Sequence, residues 1–76
     1  MDPNSTTQRL VEAYVFRTFG KTISQERGVN REWIMLVRDY GDEYLGIADS
    51  WEGALNSLIN DFKRKGHDPL GTTEEE

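Results

Sequence analysis

The stretch Trp33–Lys65, WIMLVRDYGDEYLGIADSWEGALNSLINDFKRK, decides the fold. Trp33 to Val37 is aromatic, β-branched and apolar enough for a strand, and Glu43 to Ala48 makes a second. Between them Tyr40-Gly41-Asp42-Glu43 fits a two-residue hairpin loop with glycine at its first central position, the preference of a type II′ turn. That turn fixes the register. It sets Leu36 opposite Ile47 and Arg38 opposite Leu45 on one face, with Val37 opposite Gly46 and Met35 opposite Ala48 on the other.

Both faces of the hairpin are therefore apolar in part. One carries Ile34, Leu36, Leu45 and Ile47, the other Trp33, Met35, Val37 and Tyr44. A two-layer domain with both helices on one side covers only one of them. We expect the Ile34/Leu36/Leu45/Ile47 face to be the core. Trp33, Met35, Val37 and Tyr44 are then left as a surface for another protein or a second copy of the chain. The alternative is a sheet sandwiched between the helices, or covered by the tail.

The hairpin runs into a helix. Asp49 and Glu52 stand three apart as a capping box, Trp51, Ala54, Leu55, Leu58, Ile59 and Phe62 form one apolar stripe, and Gly66 stops it. Lys63, Arg64, Lys65 and His67 follow as a basic cluster. Cations there offset the negative end of the helix dipole, and contact with a phosphate or acidic peptide is the alternative.

Upstream, Ser5, Thr6 or Thr7 caps a first helix that runs to about Phe19, with Gly20 as its left-handed stop. Leu10, Val11, Tyr14, Val15, Thr18 and Phe19 share its core side. Phe16 lies on the opposite side, where an exposed phenylalanine is a candidate anchor for a partner. Thr22 to Gln25 either forms a short strand before the loop Arg27-Gly28-Val29-Asn30, or is an irregular crossover whose Ile23 plugs the core. The expected fold class is thus α+β, a small two-layer domain of helix, two or three antiparallel strands, and helix.

Residues 6–66 make this single domain. Met1-Asp2-Pro3-Asn4-Ser5 back-translates to ATG GAT CCG AAT TC, which joins the cloning sites GGATCC and GAATTC. It reads as a vector-derived scar outside the fold, and the rest as a candidate piece of a longer protein. Residues 67–76 read as a disordered acidic tail.

At 76 residues there is room for one modest core. With no cysteine, neither disulfides nor a thiolate zinc site supplement it. The net charge of −5 belongs to the ends, because residues 6–66 hold all nine Lys and Arg and nine of the fourteen acids. That balance argues against a strongly acidic nucleic-acid mimic, and equally against the broad positive field that nonspecific nucleic-acid binding uses. No apolar run is long enough for a bilayer and no leader opens the chain, so the expectation is an intracellular protein, cytoplasmic or nuclear, with no membrane association.

Chemistry is sparse. The only histidine, His67, falls at the start of the tail, where a general base would not be held in place. Without a second histidine or a cysteine, an imidazole-activated nucleophile and a Cys/His zinc site are excluded. Asp39, Asp42 and Glu43 at the hairpin tip offer at most a weak cation site, and the glycines show no phosphate-loop spacing. We expect no enzymatic activity, no cofactor and no small-molecule substrate.

With a Thr22–Gln25 strand, the order becomes helix, three antiparallel strands, helix. Tyr44-Leu45-Gly46-Ile47-Ala48-Asp49-Ser50 running into an Ala54/Leu58 helix then resembles the third strand and second helix of a double-stranded-RNA-binding domain. The likeness covers about half the chain. In that family lysines at the start of the second helix straddle phosphates across a groove. Here Asp49, Ser50, Trp51, Glu52 and Gly53 occupy those positions, and carboxylates would repel RNA. The resemblance therefore implies a degenerate member turned to protein contacts.

The expected function is a non-enzymatic protein-interaction module, a homo-oligomer or small binding or inhibitor domain, acting through Trp33, Met35, Val37, Tyr44 and Phe16. One alternative is a nucleic-acid-binding domain of the double-stranded-RNA type using Arg9, Arg17, Arg27, Arg31, Lys63, Arg64 and Lys65. The other is a structural fragment of a larger protein.

Overall fold

The computed structural model describes residues 3–70, with side chains from Thr6 onward. Helix α1 spans Pro3–Phe19, strands β1 Ser24–Arg27, β2 Trp33–Asp39 and β3 Asp42–Ala48 follow, and helix α2 spans Trp51–Arg64. The chain is thus α+β in the order α-β-β-β-α.

Helix α1 begins earlier than expected, inside the pentapeptide set aside as a scar. Proline is well suited to a first helical turn because its missing N–H is unpaired there in any case. At the other end Gly20 takes φ 71° and its N–H bonds the Phe16 carbonyl at 2.9 Å. Val11 and Val15 are fully buried, and Tyr14 and Phe19 are half-buried. Leu10 and Thr18, placed with the core by their wheel position, are exposed, so the buried stripe is narrower than the sequence suggests.

The three strands form one antiparallel sheet in the order β1-β2-β3. The open choice over Thr22–Gln25 thus falls to a strand, starting two residues later at Ser24. The β2–β3 turn also moves by one residue. Its central residues are Tyr40 and Gly41, with φ 46° and 134°. Positive φ at both defines the I′ family of turns rather than II′. Ile34 therefore pairs with Ile47 and Leu36 with Leu45, two residues from the expected register. A two-residue shift keeps every side chain on its own face.

The faces are the reverse of the expectation. Met35, Val37 and Tyr44 are buried among Val11, Val15, Ala54, Leu55, Leu58, Ile59 and Phe62, with Trp33 half-buried beside them. Both helices lie over this side. Gly46 supplies the physical reason: a Cβ built there would overlap the Ala54 carbonyl and the backbone of Leu58. The helix can approach that closely only over the face that lacks a side chain at Gly46. Tyr44 fills the space beside it and stacks on Phe62, ring centroids 4.6 Å apart.

Helix α2 is capped by Ser50 rather than Asp49, its hydroxyl accepting from the Gly53 N–H at 3.0 Å. Its C-terminal end closes with Gly66 at φ 90°, the Gly66 N–H on Lys63 O (3.1 Å) and the His67 N–H on Phe62 O (2.9 Å). That is a Schellman motif, which reverses the chain. His67–Leu70 consequently fold back, with Pro69 buried and Leu70 against the core, instead of opening a disordered tail. The remainder of the expected tail, 71–76, lies outside the described residues.

Candidate interaction surface

Two helices on one side leave the other side of a three-stranded sheet uncovered. Its register brings two aliphatic cross-strand pairs together there, Ile34 with Ile47 and Leu36 with Leu45. Ile34 and Leu36, on the central strand, are partly shielded, whereas Leu45 is 42% and Ile47 46% exposed. Ser24 and Glu26 border the patch on β1, paired with Leu36 and Ile34. Toward the hairpin turn it is bounded by an exposed ion pair, Arg38 Nε to Glu43 Oε2 at 3.0 Å. An aliphatic centre with a charged rim makes this face a candidate docking surface.

The residues assigned to protein contact from sequence are therefore divided by the fold. Met35, Val37 and Tyr44 are core and cannot meet a partner; Trp33 is half-buried, with the Arg27 guanidinium 4.1 Å from its ring centroid. Phe16 is 67% exposed, on the far side of α1 in a shallow groove with Arg9, Ala13 and Ile23. Lys21 and Thr22 stand between this groove and the Leu36 end of the sheet patch.

The candidate nucleic-acid contacts are likewise divided. Arg27 donates to the Arg31 carbonyl at 2.6 and 3.2 Å and, with Arg31, lies at the β1–β2 end of the sheet. Lys63, Arg64 and Lys65 lie toward the β2–β3 turn, since Lys65 Nζ donates to Glu43 O at 2.7 Å. A seven-residue strand separates the two groups by roughly 20 Å. Arg64 pairs with Asp61, while Lys65 lies 3.4 Å from the same carboxylate and 4.9 Å from the Tyr44 ring centroid. The two ends thus form no single basic patch.

Asp61 was not singled out from sequence, yet it is the buried charged group of α2. Its Oδ2 accepts the Leu45 backbone N–H at 2.9 Å. Burial pushes its carboxyl up, but the Leu45 N–H, Lys65 and Arg64 outweigh that and hold it below the ordinary aspartate value. The cleft around it, lined also by Arg38, Asp42 and Glu43, consists largely of charges already paired with one another.

His67 is fixed rather than loose. Its Nδ1 pairs with the Tyr14 hydroxyl at 2.7 Å and its Nε2 with the Tyr44 hydroxyl at 3.3 Å, among the rings of Phe19 and Phe62. Both ring nitrogens are thereby engaged in tying the returning chain to α1 and β3. Among the described residues no group of three or more His, Cys, Asp or Glu is gathered to hold a metal ion; Asp39 and Asp42 pair across the turn, and Glu43 is turned to Arg38. No described helix is long and apolar enough to cross a membrane.

Comparison with known proteins gives no match to a family model, a curated protein or a solved structure.

Proposed function

We propose that this chain is a non-enzymatic protein-interaction module that docks an apolar partner surface on the outer face of its sheet. The observation that carries the proposal is the pair of exposed aliphatic rungs, Ile34/Ile47 and Leu36/Leu45, on a face neither helix covers. Burial of Leu45 and Ile47 side chains by a partner would contribute on the order of 1 kcal/mol each, given that about half of each is already shielded.

Selection of a displayed library of amphipathic helical peptides against the full chain tests this. Enriched peptides should lose binding to a Leu45→Lys, Ile47→Lys variant and keep it toward Phe16→Lys. Binders that map to Phe16, or none at all, would overturn the reading.

A second reading is favoured by the element order, which agrees with the resemblance to double-stranded-RNA-binding domains. Against it stand Asp49 and Glu52 at the start of α2 and the separation of the basic residues. Duplex RNA binding at low salt that falls steeply as salt is added would support it.

A further inference from the structure

We infer that the occupant of the outer sheet face is a second copy of this chain, stacked sheet to sheet about a two-fold axis that runs across the strands. The inference rests on the reading of that face as a protein-docking surface, and adds who docks there.

The register arranges the outer residues in rows across the sheet. Glu26, Ile34 and Ile47 form one row, Ser24, Leu36 and Leu45 the next, and Arg38 with Glu43 a third. An axis running along the strands would place Arg38 on Arg38 of the second copy and Glu26 over its Ile47. Like charges and a desolvated carboxylate oppose that arrangement.

An axis across the strands, between the first two rows, behaves differently. It lays Ile34 on Leu36 and Ile47 on Leu45 of the second copy, so apolar meets apolar throughout. Glu26 then meets Ser24. The same interval further out, Arg38 faces Glu32, which directly precedes β2 at the same side-chain parity and whose carboxylate also accepts the Asn30 N–H at 2.9 Å. Because β2 is the central strand, these two residues stay close to opposite each other through the rotation of about 30° usual between stacked sheets. On the β3 flank Glu43 approaches Asp49, a like-charge contact that weakens the arrangement, and Arg38, 72% exposed, lies between Glu43 of its own chain and Glu32 of the second copy.

The face is thus complementary to itself, as an isologous contact requires: matched aliphatic rows at the centre, a cation at one end and a carboxylate at the other. It is also small. Three strands about 4.8 Å apart and rows about 7 Å apart give a few hundred Å², below the roughly 800 Å² per partner of a stable complex. The dimer is accordingly weak and forms with concentration.

Sedimentation equilibrium of the full chain from about 10 μM to about 1 mM tests this range of affinity. The mean mass should rise from 8.8 kDa toward twice that value. Ile47→Lys should weaken association at least tenfold and Phe16→Lys should not. Arg38→Glu and Glu32→Arg should each weaken it alone, and an equimolar mixture of those two variants should associate again, because each then faces its opposite charge. Circular dichroism establishes that every variant is folded.

A chain that stays monomeric, association indifferent to Ile47→Lys, or a mixture that fails to pair would each overturn the second copy. If the chain is monomeric while selected peptides still bind through Leu45 and Ile47, the docking reading stands and its occupant is another protein. If both experiments fail, both readings fall.

Discussion

The carboxylate of Asp61, on the third turn of α2, accepts the backbone N–H of Leu45 in the edge strand β3 at 2.9 Å. Lys65, one helical turn later, donates to the carbonyl of Glu43 two residues along the same strand. Together they occupy polar groups that an open sheet edge would otherwise offer to a foreign strand. The β3 edge is thereby blocked at its turn end, in keeping with the proposed docking on the face of the sheet.

Replacing Asp61 by alanine takes the charged acceptor from the Leu45 N–H in a part-buried bond. The expected loss is about 1–3 kcal/mol at neutral pH, read from urea unfolding. A variant as stable as the parent would show that the bond contributes nothing net.

The acid limb of stability should also pass through Asp61. Its folded carboxyl titrates below the ordinary value, so the folded chain binds fewer protons there than the unfolded one. The contribution is complete above about pH 4 and is lost as pH falls through the lower folded value. Asp61→Asn should flatten this limb in a pH series of thermal melts; an unchanged slope would assign acid sensitivity to other groups.

Gly46→Ala should destabilise by about 1–3 kcal/mol, because the added methyl group meets helix backbone rather than a side chain that can swing away. Ala at exposed Gly41 makes a contrast, since no atom obstructs a Cβ there and its cost comes from φ 134° alone. Hydrogen exchange in β3 should rise in Gly46→Ala only.

The two faces can be compared by matched truncations. Met35→Ala and Leu58→Ala should each cost about 2–5 kcal/mol, since both side chains are buried. Ile47→Ala, at a position nearly half exposed, should cost under about 1 kcal/mol in dilute monomer. Equal losses at Met35 and Ile47 would contradict the orientation of the sheet.

Tyr44 governs the alkaline limb. Burial first, then Asp42 and Asp39, pushes its hydroxyl above the ordinary tyrosine value. The folded chain therefore keeps this proton longer than the unfolded one, and stability present below about pH 10 is lost as pH rises through the folded value. Tyr44→Phe should reduce that alkaline loss while costing about 0.5–1.5 kcal/mol at neutral pH through its contact with His67. Ultraviolet titration of tyrosinate follows the ionisation directly.

The helices and the hairpin were legible because their signals are periodic: the Trp51–Phe62 stripe, the Val11/Val15 spacing and the two apolar strands. The turn lies one residue earlier than its sequence suggests because tyrosine is not among the residues that favour positive φ, and Tyr40 takes it nonetheless. The core face is not legible because both faces carry aliphatic residues, so amphipathicity gives no sign. Gly46 held the missing signal, a glycine inside a strand beside a helix with bulky residues on every turn. Asp61 was hidden for another reason. Its partner is a backbone group sixteen residues earlier, which no side-chain pattern reveals. His67 looked loose because Gly66 stops the helix, but Pro69 and Leu70 after it are the apolar residues a Schellman reversal brings home.

The bond between Tyr14 and His67 joins positions 53 apart in a chain of 76. Closing so long a loop is entropically slow compared with forming the β2–β3 hairpin, whose ends are adjacent. The hairpin can therefore form first, and the contact between Tyr14 and His67 closes after it. The returning segment His67–Leu70 thus acts as a last stitch, and a chain stopped before it would carry its secondary structure without its closure.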